Sequence, residues 1–171
     1  MVEVLVTGGA GFIGSNFVRH ALAAHPDWRV PTLDKLTYAG RMENLHDVMD
    51  DPRHSFVRGD IADAELVRPL VMRSNLVVHF AAETHVDRSI LGDGDFIRPD
   101  VLGTFVLPAA ARDATGLRRV VPHSTDEVYG TVPPGARRAP HAPRPPNPPP
   151  PHTAAPPTWP VRARDGRPAA R

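Results

Sequence analysis

The 171-residue chain contains 20 basic and 19 acidic side chains, which give a formal net charge of +1, and 41% of its residues are apolar. It contains no cysteine, so disulfides and thiolate metal sites are excluded, which agrees with a reducing compartment. No apolar run approaches the roughly 18 residues that span a bilayer, and a strand pattern starts at once, without a charged leader. We therefore predict a soluble, cytoplasmic protein with no membrane partner.

Residues 1–130 alternate short β-branched runs with helical patterns. We predict strands at 2–6, 28–33, 55–57, 76–80 and 119–121, and helices near 12–24, 42–49, 63–72 and 96–114. The first helix is expected to bury a face that carries Ile13, Phe17 and Ala21. Strands that alternate with helices pair in parallel through right-handed crossovers, so the expected fold class is α/β with a doubly wound parallel sheet.

Three prolines conflict with this plan. Pro31 and Pro122 lie where strands should donate ladder hydrogen bonds, and Pro108 falls inside the last predicted helix.

Composition and charge change at about residue 130. Residues 1–130 carry a formal charge of −5, whereas residues 131–171 carry seven arginines and one aspartate, or +6. The second segment has no Leu, Ile, Phe or Met and contains the run PRPPNPPPP (143–151). It lacks the apolar area to offset roughly 1–2 kcal/mol of backbone entropy per ordered residue. We predict a folded domain over 1–130 and a disordered Pro/Arg/Ala-rich tail over 131–171 with polyproline II character.

Two origins of the tail remain open. Out-of-frame reading of a GC-rich gene yields mostly Pro, Ala and Arg, and these three residue types dominate the chain after Gly130. The alternative is a natural proline-rich arm, which could dock an aromatic-lined groove. Trp159 is its only aromatic residue, and we predict no specific nucleic-acid recognition.

The stretch VTGGAGFIG places Gly9, Gly11 and Gly14 as G-x-G-x-x-G between a strand and a helix, and Gly8 extends the pattern. Glycines let the backbone turn sharply and approach a pyrophosphate, which the helix N-terminus attracts. Such a turn can also simply join a strand to a helix. Asp34 lies 20 residues beyond Gly14 at the end of the next strand, where a carboxylate accepts hydrogen bonds from a ribose, so we predict a dinucleotide site.

The carboxylate of Asp34 would repel a 2′-phosphate, which favours NAD over NADP, although the neighbouring Lys35 weakens that preference. Asp60 and Ile61 follow the third strand, where Asp60 is either a helix N-cap or a neighbour of the adenine. Ala81 and Ala82 follow the fourth strand and are small enough for a close cofactor approach, but packing explains them equally well.

Four separated motifs occur together: the glycine turn, LDKLTYAG (33–40), HFAAETHVDRS (79–89) and STDEVYG (124–130). Over about residues 1–130 the chain resembles the dTDP-glucose 4,6-dehydratases, within the extended short-chain dehydrogenase/reductase family. The resemblance implies a Rossmann domain with a smaller nucleotide-sugar domain, a retained NAD, dTDP-glucose as substrate, and a homodimer. It implies cofactor contacts at Gly8, Gly11, Phe12, Ile13, Gly14, Asp34, Lys35, Thr37, Asp60, Ile61, Ala81 and Ala82.

The resemblance also assigns chemistry to STDEVYG. Glu127 would remove the C5 proton of a 4-keto sugar, Asp126 would protonate the departing C6 hydroxyl, and Thr125 would hydrogen-bond the C4 oxygen. Adjacent carboxylates serve as base and acid only if their environments separate their pKa values. The alternative is a loop in which Ser124 or Asp126 caps a helix and Glu127 lies in solvent. Thr84 resembles a substrate-contacting position, or is an ordinary loop residue.

Several features depart from the family. Its Tyr-x-x-x-Lys pair is absent, because the only lysine is Lys35 and the only tyrosines are Tyr38 and Tyr129. Its Thr-Asn in the long helix appears as Pro99-Asp100. The family's substrate domain and the last strands of its sheet have no counterpart, so residues 1–130 are expected to form a truncated, incomplete Rossmann domain. We therefore predict that this chain alone is catalytically inactive or nearly so.

Two other functions stay open at this point. The chain could be another nucleotide-sugar epimerase or decarboxylase of the same superfamily, or a non-catalytic NAD-binding remnant. A metal site at His79 and His85 is not expected, because no cysteine or matching carboxylate pattern accompanies them, and the two are better explained as packing and loop histidines.

Overall fold

The computed structural model describes residues 1–83 and 97–124. The predictions for residues 84, 85 and 125–127 and for the tail (131–171) lie outside the described residues. The elements, in chain order, are β1 (Val2–Thr7), α1 (Phe12–Ala24), β2 (Trp28–Asp34), a 3-10 helix (Met42–Val48), β3 (His54–Arg58), α2 (Ala64–Arg73), β4 (Leu76–His79), a π-helix (Ile97–Gly103), α3 (Thr104–Asp113) and β5 (Arg119–Pro122). None of the helices described is both long and apolar enough to cross a membrane.

All five strands form one parallel sheet in the order β3-β2-β1-β4-β5. The chain first builds the sheet outwards from β1 through β2 to β3, then crosses back to place β4 on the other side of β1. The strand order therefore reverses between β1 and β4. Open α/β sheets bind ligands in a crevice outside the carboxyl ends of the strands at such a point, so this is where a crevice is expected. The doubly wound parallel α/β sheet predicted from the sequence is confirmed.

Each face of the sheet is covered by helices and carries its own apolar core. In the central strand β1, Leu5 faces one core and Val4 and Val6 face the other, as expected for alternating side chains of a fully buried strand. The Leu5 side packs against α2 and α3 through Val67, Leu70, Val71, Val106 and Leu107. The opposite side packs against α1 and the 3-10 helix through Val18, Ala21, Leu22 and Leu45.

The predicted buried face of α1 is confirmed at Ala21, is partly buried at Phe17, which packs against the core, and is wrong at Ile13. Ile13 is 51% exposed and Phe17 is only partly buried, whereas Val18, Ala21 and Leu22 are buried together with Gly14. The helix is rotated because Gly14, at its start, packs against the backbone of the preceding turn. Ile13 is thereby directed away from the core.

The sheet and helices accommodate the three prolines. The strand β2 pairs with β1 at residues 28–29 and again at 32–33, so the ladder is interrupted at Pro31, which has no N–H to donate. Pro122 is the last residue of β5, which pairs only with β4 among the described strands. Pro108 lies within α3, which continues to Asp113.

A buried polar contact joins the ends of β1 and β4. His79 is 6% exposed, and its Nδ1 lies 2.6 Å from the hydroxyl of Thr7, while Nε2 lies 3.4 Å from the hydroxyl of Thr104 at the start of α3. Burial lowers the pKa of His79 to about 4, so the ring is neutral near pH 7. This agrees with the prediction that His79 is a packing residue.

The depressed pKa of His79 predicts acid sensitivity. As the pH falls, the unfolded chain binds a proton near pH 6.5, before the folded protein does near pH 4, so stability is full above pH 6.5 and declines between these values. When the pH is lowered from 7 to 5, the free energy of unfolding measured in urea should fall by roughly 2 kcal/mol less for His79→Asn than for the unaltered chain. The control is His20→Asn, an exposed position of α1. Parallel pH profiles for the unaltered chain and His79→Asn would contradict the prediction.

Candidate functional site

The glycine turn after β1 is closed by backbone contacts that leave no space for side chains. Gly8 has a left-handed φ of +71°, and a Cβ there would collide with the backbone nitrogen of Ala81, just beyond β4. A Cβ at Gly14 would collide with the carbonyl oxygen of Gly8, which accepts a hydrogen bond from the N–H of Gly11 at 3.2 Å. The predicted glycines therefore lie together at the crevice, as a tight turn that a phosphate group could approach.

The helix α1 begins at this turn without a cap of its own. Its N-cap residue, Gly11, provides no side chain, and the first turn contains no acidic residue. Phe12 is 81% exposed and Ile13 is half exposed, so the predicted contact residues of the first turn lie at the surface. Because the first N–H groups of a helix lack intrahelical acceptors, they are available to an anion.

Asp34 links the glycine turn to the end of β2. The residue is 8% exposed, its Oδ2 accepts from the N–H of Ala10 at 2.9 Å, and its Oδ1 accepts from the N–H of Leu36 at 2.8 Å. Each carboxylate oxygen retains a further lone pair for a hydroxyl group. The structure places Asp34 beside the turn, where the sequence predicted it.

Two further hydrogen bonds hold the glycine turn through the carbonyl group of Ala10. The carbonyl oxygen of Ala10 accepts from the side chain of Asn44 at 2.7 Å and from the backbone N–H of Arg41 at 3.1 Å. The sequence analysis missed both residues. Neither belongs to a motif that identifies it, since they lie more than 30 positions along the chain in and before the 3-10 helix.

The N-cap interpretation of Asp60 is wrong. The cap of α2 is Asp63, whose carboxylate accepts from the N–H groups of Glu65 and Leu66 at 3.1 and 3.2 Å. Asp60 instead accepts from the N–H of Ala62 at 2.9 Å and makes a local turn before the helix.

The carboxylate of Asp60 is also the centre of a charged cluster. Its Oδ2 lies 2.9 Å from Nζ of Lys35 and 3.2 Å from Nε of Arg98. Burial tends to raise the pKa of Asp60, but the bonds from Ala62, Lys35 and Arg98 outweigh that effect and the pKa is lowered. Asp60 is therefore an anion that connects the loops after β2 and β3 with the π-helix.

The π-helix closes one side of the crevice. Gly103 packs so tightly on the side chain of Ile61 that a Cβ would collide with it, and Asp100 accepts from the N–H of Glu83 at 2.8 Å. Burial raises the pKa of Asp100, and the nearby charge of Glu83 acts in the same direction. The family departure at Pro99-Asp100 thus puts a carboxylate against a backbone N–H beside the crevice.

Of the other residues that the sequence predicted as cofactor contacts, only some lie next to the glycine turn. Ala81 packs against the core and lies beside Gly8, so both interpretations of it describe its position, whereas Ala82 is exposed. Thr37 is exposed. The buried hydroxyl of Ser124 has no hydrogen-bond partner among residues 1–83 and 97–124, and the residues that it could cap lie outside the described part of the chain. Within residues 1–83 and 97–124, no cluster of three or more His, Asp or Glu side chains could hold a metal ion.

The turn geometry predicts that Gly14→Ala is destabilising. The added methyl group must displace the backbone at Gly8, which should lower the free energy of unfolding by roughly 1–3 kcal/mol in a urea titration. Gly116→Ala is the matched control, since nothing lies within 4 Å of a Cβ there, and it should change stability by less than about 0.5 kcal/mol. Equal stabilities for the two variants would contradict the tight turn.

The raised pKa of Asp100 predicts that a neutral isostere is stabilising. The protonated carboxyl favours the fold at low pH, and this contribution is lost as the pH rises through the folded-state pKa. Asp100→Asn keeps an acceptor for the N–H of Glu83 and removes the charge. The free energy of unfolding of this variant should exceed that of the unaltered chain by on the order of 0.5 kcal/mol at pH 7, after solvent screening. Near pH 3 the two free energies should be equal. Asp50→Asn, at an exposed position, controls for loss of a charge. A gain of the same size at both pH values would refute the electrostatic cause.

Comparisons with known proteins identify the family. The chain matches a family model described as GDP-mannose 4,6 dehydratase over residues 5–148. The dTDP-glucose 4,6-dehydratase of Streptomyces antibioticus is 55% identical over 141 residues, which cover 79% of this chain and 41% of that protein. The chain spans less than half the length of the curated relatives it matches.

Solved structures agree in fold. The dTDP-glucose 4,6-dehydratase of Streptomyces venezuelae, with NAD and TYD bound, is 54% identical with a TM-score of 0.71, over 77% of this chain and 42% of that one. The UDP-glucose 4-epimerase of Thermus thermophilus, in complex with NAD, is 35% identical with a TM-score of 0.68, over 81% and 42%. These matches confirm the resemblance that the four motifs indicated: the chain belongs to the GDP-mannose 4,6 dehydratase family.

Proposed function

We propose that this chain is the NAD-binding part of a nucleotide-sugar 4,6-dehydratase that acts on dTDP-glucose. The observation that carries the proposal is the closed glycine turn beside the buried carboxylate of Asp34, at the point where the strand order of the sheet reverses. The Streptomyces relatives named above support the choice of substrate and cofactor.

The residues of the crevice suit NAD. The absence of a Cβ at Gly8 and Gly14 keeps the turn compact, so the pyrophosphate can approach the uncapped first turn of α1. Asp34 retains lone pairs for the adenosine ribose. Ile61 is 4% exposed and packs on Gly103, so its assigned contact with the adenine rests on resemblance alone. When bound, NAD supplies the hydride acceptor for oxidation at C4 of the hexose and returns the hydride at C6.

The proposed dehydration residues follow β5. This strand pairs in parallel with β4, with Val121 opposite Val78 and Pro122 opposite His79, so the chain leaves β5 at the same sheet edge as the glycine turn. We assign Glu127 to removal of the C5 proton, Asp126 to protonation of the leaving C6 hydroxyl and Thr125 to the C4 oxygen. Thr84 is assigned to substrate contact by resemblance alone.

A dehydratase is favoured over an epimerase. The Streptomyces dehydratases are 54–55% identical to this chain, against 35% for the Thermus epimerase. The adjacent Asp126 and Glu127 supply an acid and a base, which loss of water across C5 and C6 requires and inversion of configuration at C4 does not. A homodimer and a cytoplasmic location also belong to the proposal, on resemblance and composition alone.

The chain by itself should bind NAD without completing a reaction. The family's Tyr-x-x-x-Lys pair is missing from the 171 residues, so the C4 hydroxyl has no base. This makes a non-catalytic NAD-binding role the second candidate for the isolated chain.

Calorimetric titration with NAD and an assay for the 4-keto sugar test the proposal together. We expect binding of one NAD per chain and no 4-keto product from dTDP-glucose. Asp34→Asn should weaken NAD binding about tenfold or more, because a charged acceptor of the ribose hydroxyls is lost. Asp50→Asn, which removes an exposed carboxylate, is the control. A folded chain without affinity for NAD would overturn the proposal, and turnover comparable to that of the Streptomyces antibioticus enzyme would overturn the predicted inactivity.

A further inference from the structure

The adenosine end of the crevice contains two cations that a cofactor phosphate could use. Lys35 directly follows Asp34 in the chain, and Arg98 lies at the start of the π-helix. A cation beside the carboxylate at the end of β2 is the kind of group that accommodates a ribose 2′-phosphate. Lys35 alone would therefore reduce the discrimination against NADP that Asp34 provides.

Both cations are held by one carboxylate. Oδ2 of Asp60 lies 2.9 Å from Nζ of Lys35 and 3.2 Å from Nε of Arg98, and its Oδ1 is fixed by the N–H of Ala62 at 2.9 Å. The side chain of Asp60 is 15% exposed, against 50% for Lys35 and 60% for Arg98. The anchored, shielded member of the cluster is thus the anion, and the two long side chains converge on it.

Asp34 cannot exchange roles with Asp60. Its two oxygens accept from the N–H groups of Ala10 and Leu36, and its backbone carbonyl accepts from the N–H of Gly59 at 3.0 Å. The carboxylate of Asp34 is therefore bound to the glycine turn, beside the proposed ribose position, while the carboxylate of Asp60 is bound to the two cations. With both carboxylates ionised, the four charged side chains sum to zero, and no excess positive charge remains for a phosphate.

We propose that Asp60 is a positioning residue for cofactor choice: by binding Lys35 and Arg98 it keeps both cations from a 2′-phosphate and so excludes NADP. The inference rests on the proposed NAD site and extends it, because cofactor preference then depends on two carboxylates with different tasks. Asp34 repels the extra phosphate directly, and Asp60 acts through the side chains that it holds.

The test compares dissociation constants of NAD and NADP, measured by calorimetry on the full chain. Asp60→Asn should release the two cations and lower the ratio Kd(NADP)/Kd(NAD) about tenfold, the effect of one charge-assisted hydrogen bond to the phosphate. In Asp60→Asn combined with both Lys35→Met and Arg98→Met, most of this fall should disappear. Asp63→Asn is the matched control, since it removes the same charge three residues away, and its ratio should not change.

Two results for the Asp60 variants would contradict this role of Asp60. A fall in the ratio that persists when both cations are removed would show that only the net charge matters and would overturn the proposal, as would an unchanged ratio in Asp60→Asn. Lys35→Met in the otherwise unaltered chain gives a second test that does not depend on Asp60→Asn folding. Its ratio should change less than about twofold, because Lys35 is held by Asp60, and a selective loss of NADP affinity would overturn the proposal. A chain that binds NAD with none of these shifts refutes this inference alone, whereas a folded chain that binds neither dinucleotide refutes the proposed function with it.

Discussion

The contact between the backbone of Gly8 and the backbone of Ala81 is the constraint on which the rest of the structure depends. It requires a residue without a Cβ in a left-handed conformation, and it brings the carboxyl ends of β1 and β4 together at the one place where the strand order reverses. The buried pair of Thr7 and His79 lies directly beneath it. The start of α1 and the ends of β1 and β4 are thereby held close together at this point.

The carboxylates of Asp34 and Asp60 have different electrostatic effects, because their hydrogen-bond partners differ. Asp34 is tied to the glycine turn by backbone N–H groups, whereas Asp60 is tied to side-chain cations. A carboxylate that accepts from backbone groups is held in place without losing its charge, so it can still repel an incoming anion. A carboxylate that accepts from Lys35 and Arg98 instead cancels charge. The same side chain type therefore has opposite effects on the local potential, depending on its partners.

Most of the fold could be predicted from the sequence because the signals are local. The five apolar runs predicted five strands, and the glycine turn between a strand and a helix predicted where the crevice lies. The ion pairs of Asp60 could not be predicted, because Arg98 is 38 residues away and only the folded sheet brings it near. Ile13 was misplaced for a related reason: the spacing of apolar residues in α1 predicted Ala21 correctly but permits more than one position for the edge of the buried face, and Gly14 packs on Gly8 next to Ile13. Pro31 conflicts with an inner strand when the sequence is considered alone, yet β2 continues through it, since packing on both faces holds the strand where the ladder with β1 is interrupted.

The missing cap of α1 has a thermodynamic consequence. A helix that starts at glycine, with no acidic residue in its first turn, leaves its positive end uncompensated. An anionic ligand at this end acts as the capping group that the sequence omits. Because Val18, Ala21 and Leu22 of the same helix form much of one core, occupation of the crevice is linked to the cohesion of the whole half-domain on that side. An anionic ligand bound here would therefore add stability that the helix end lacks by itself.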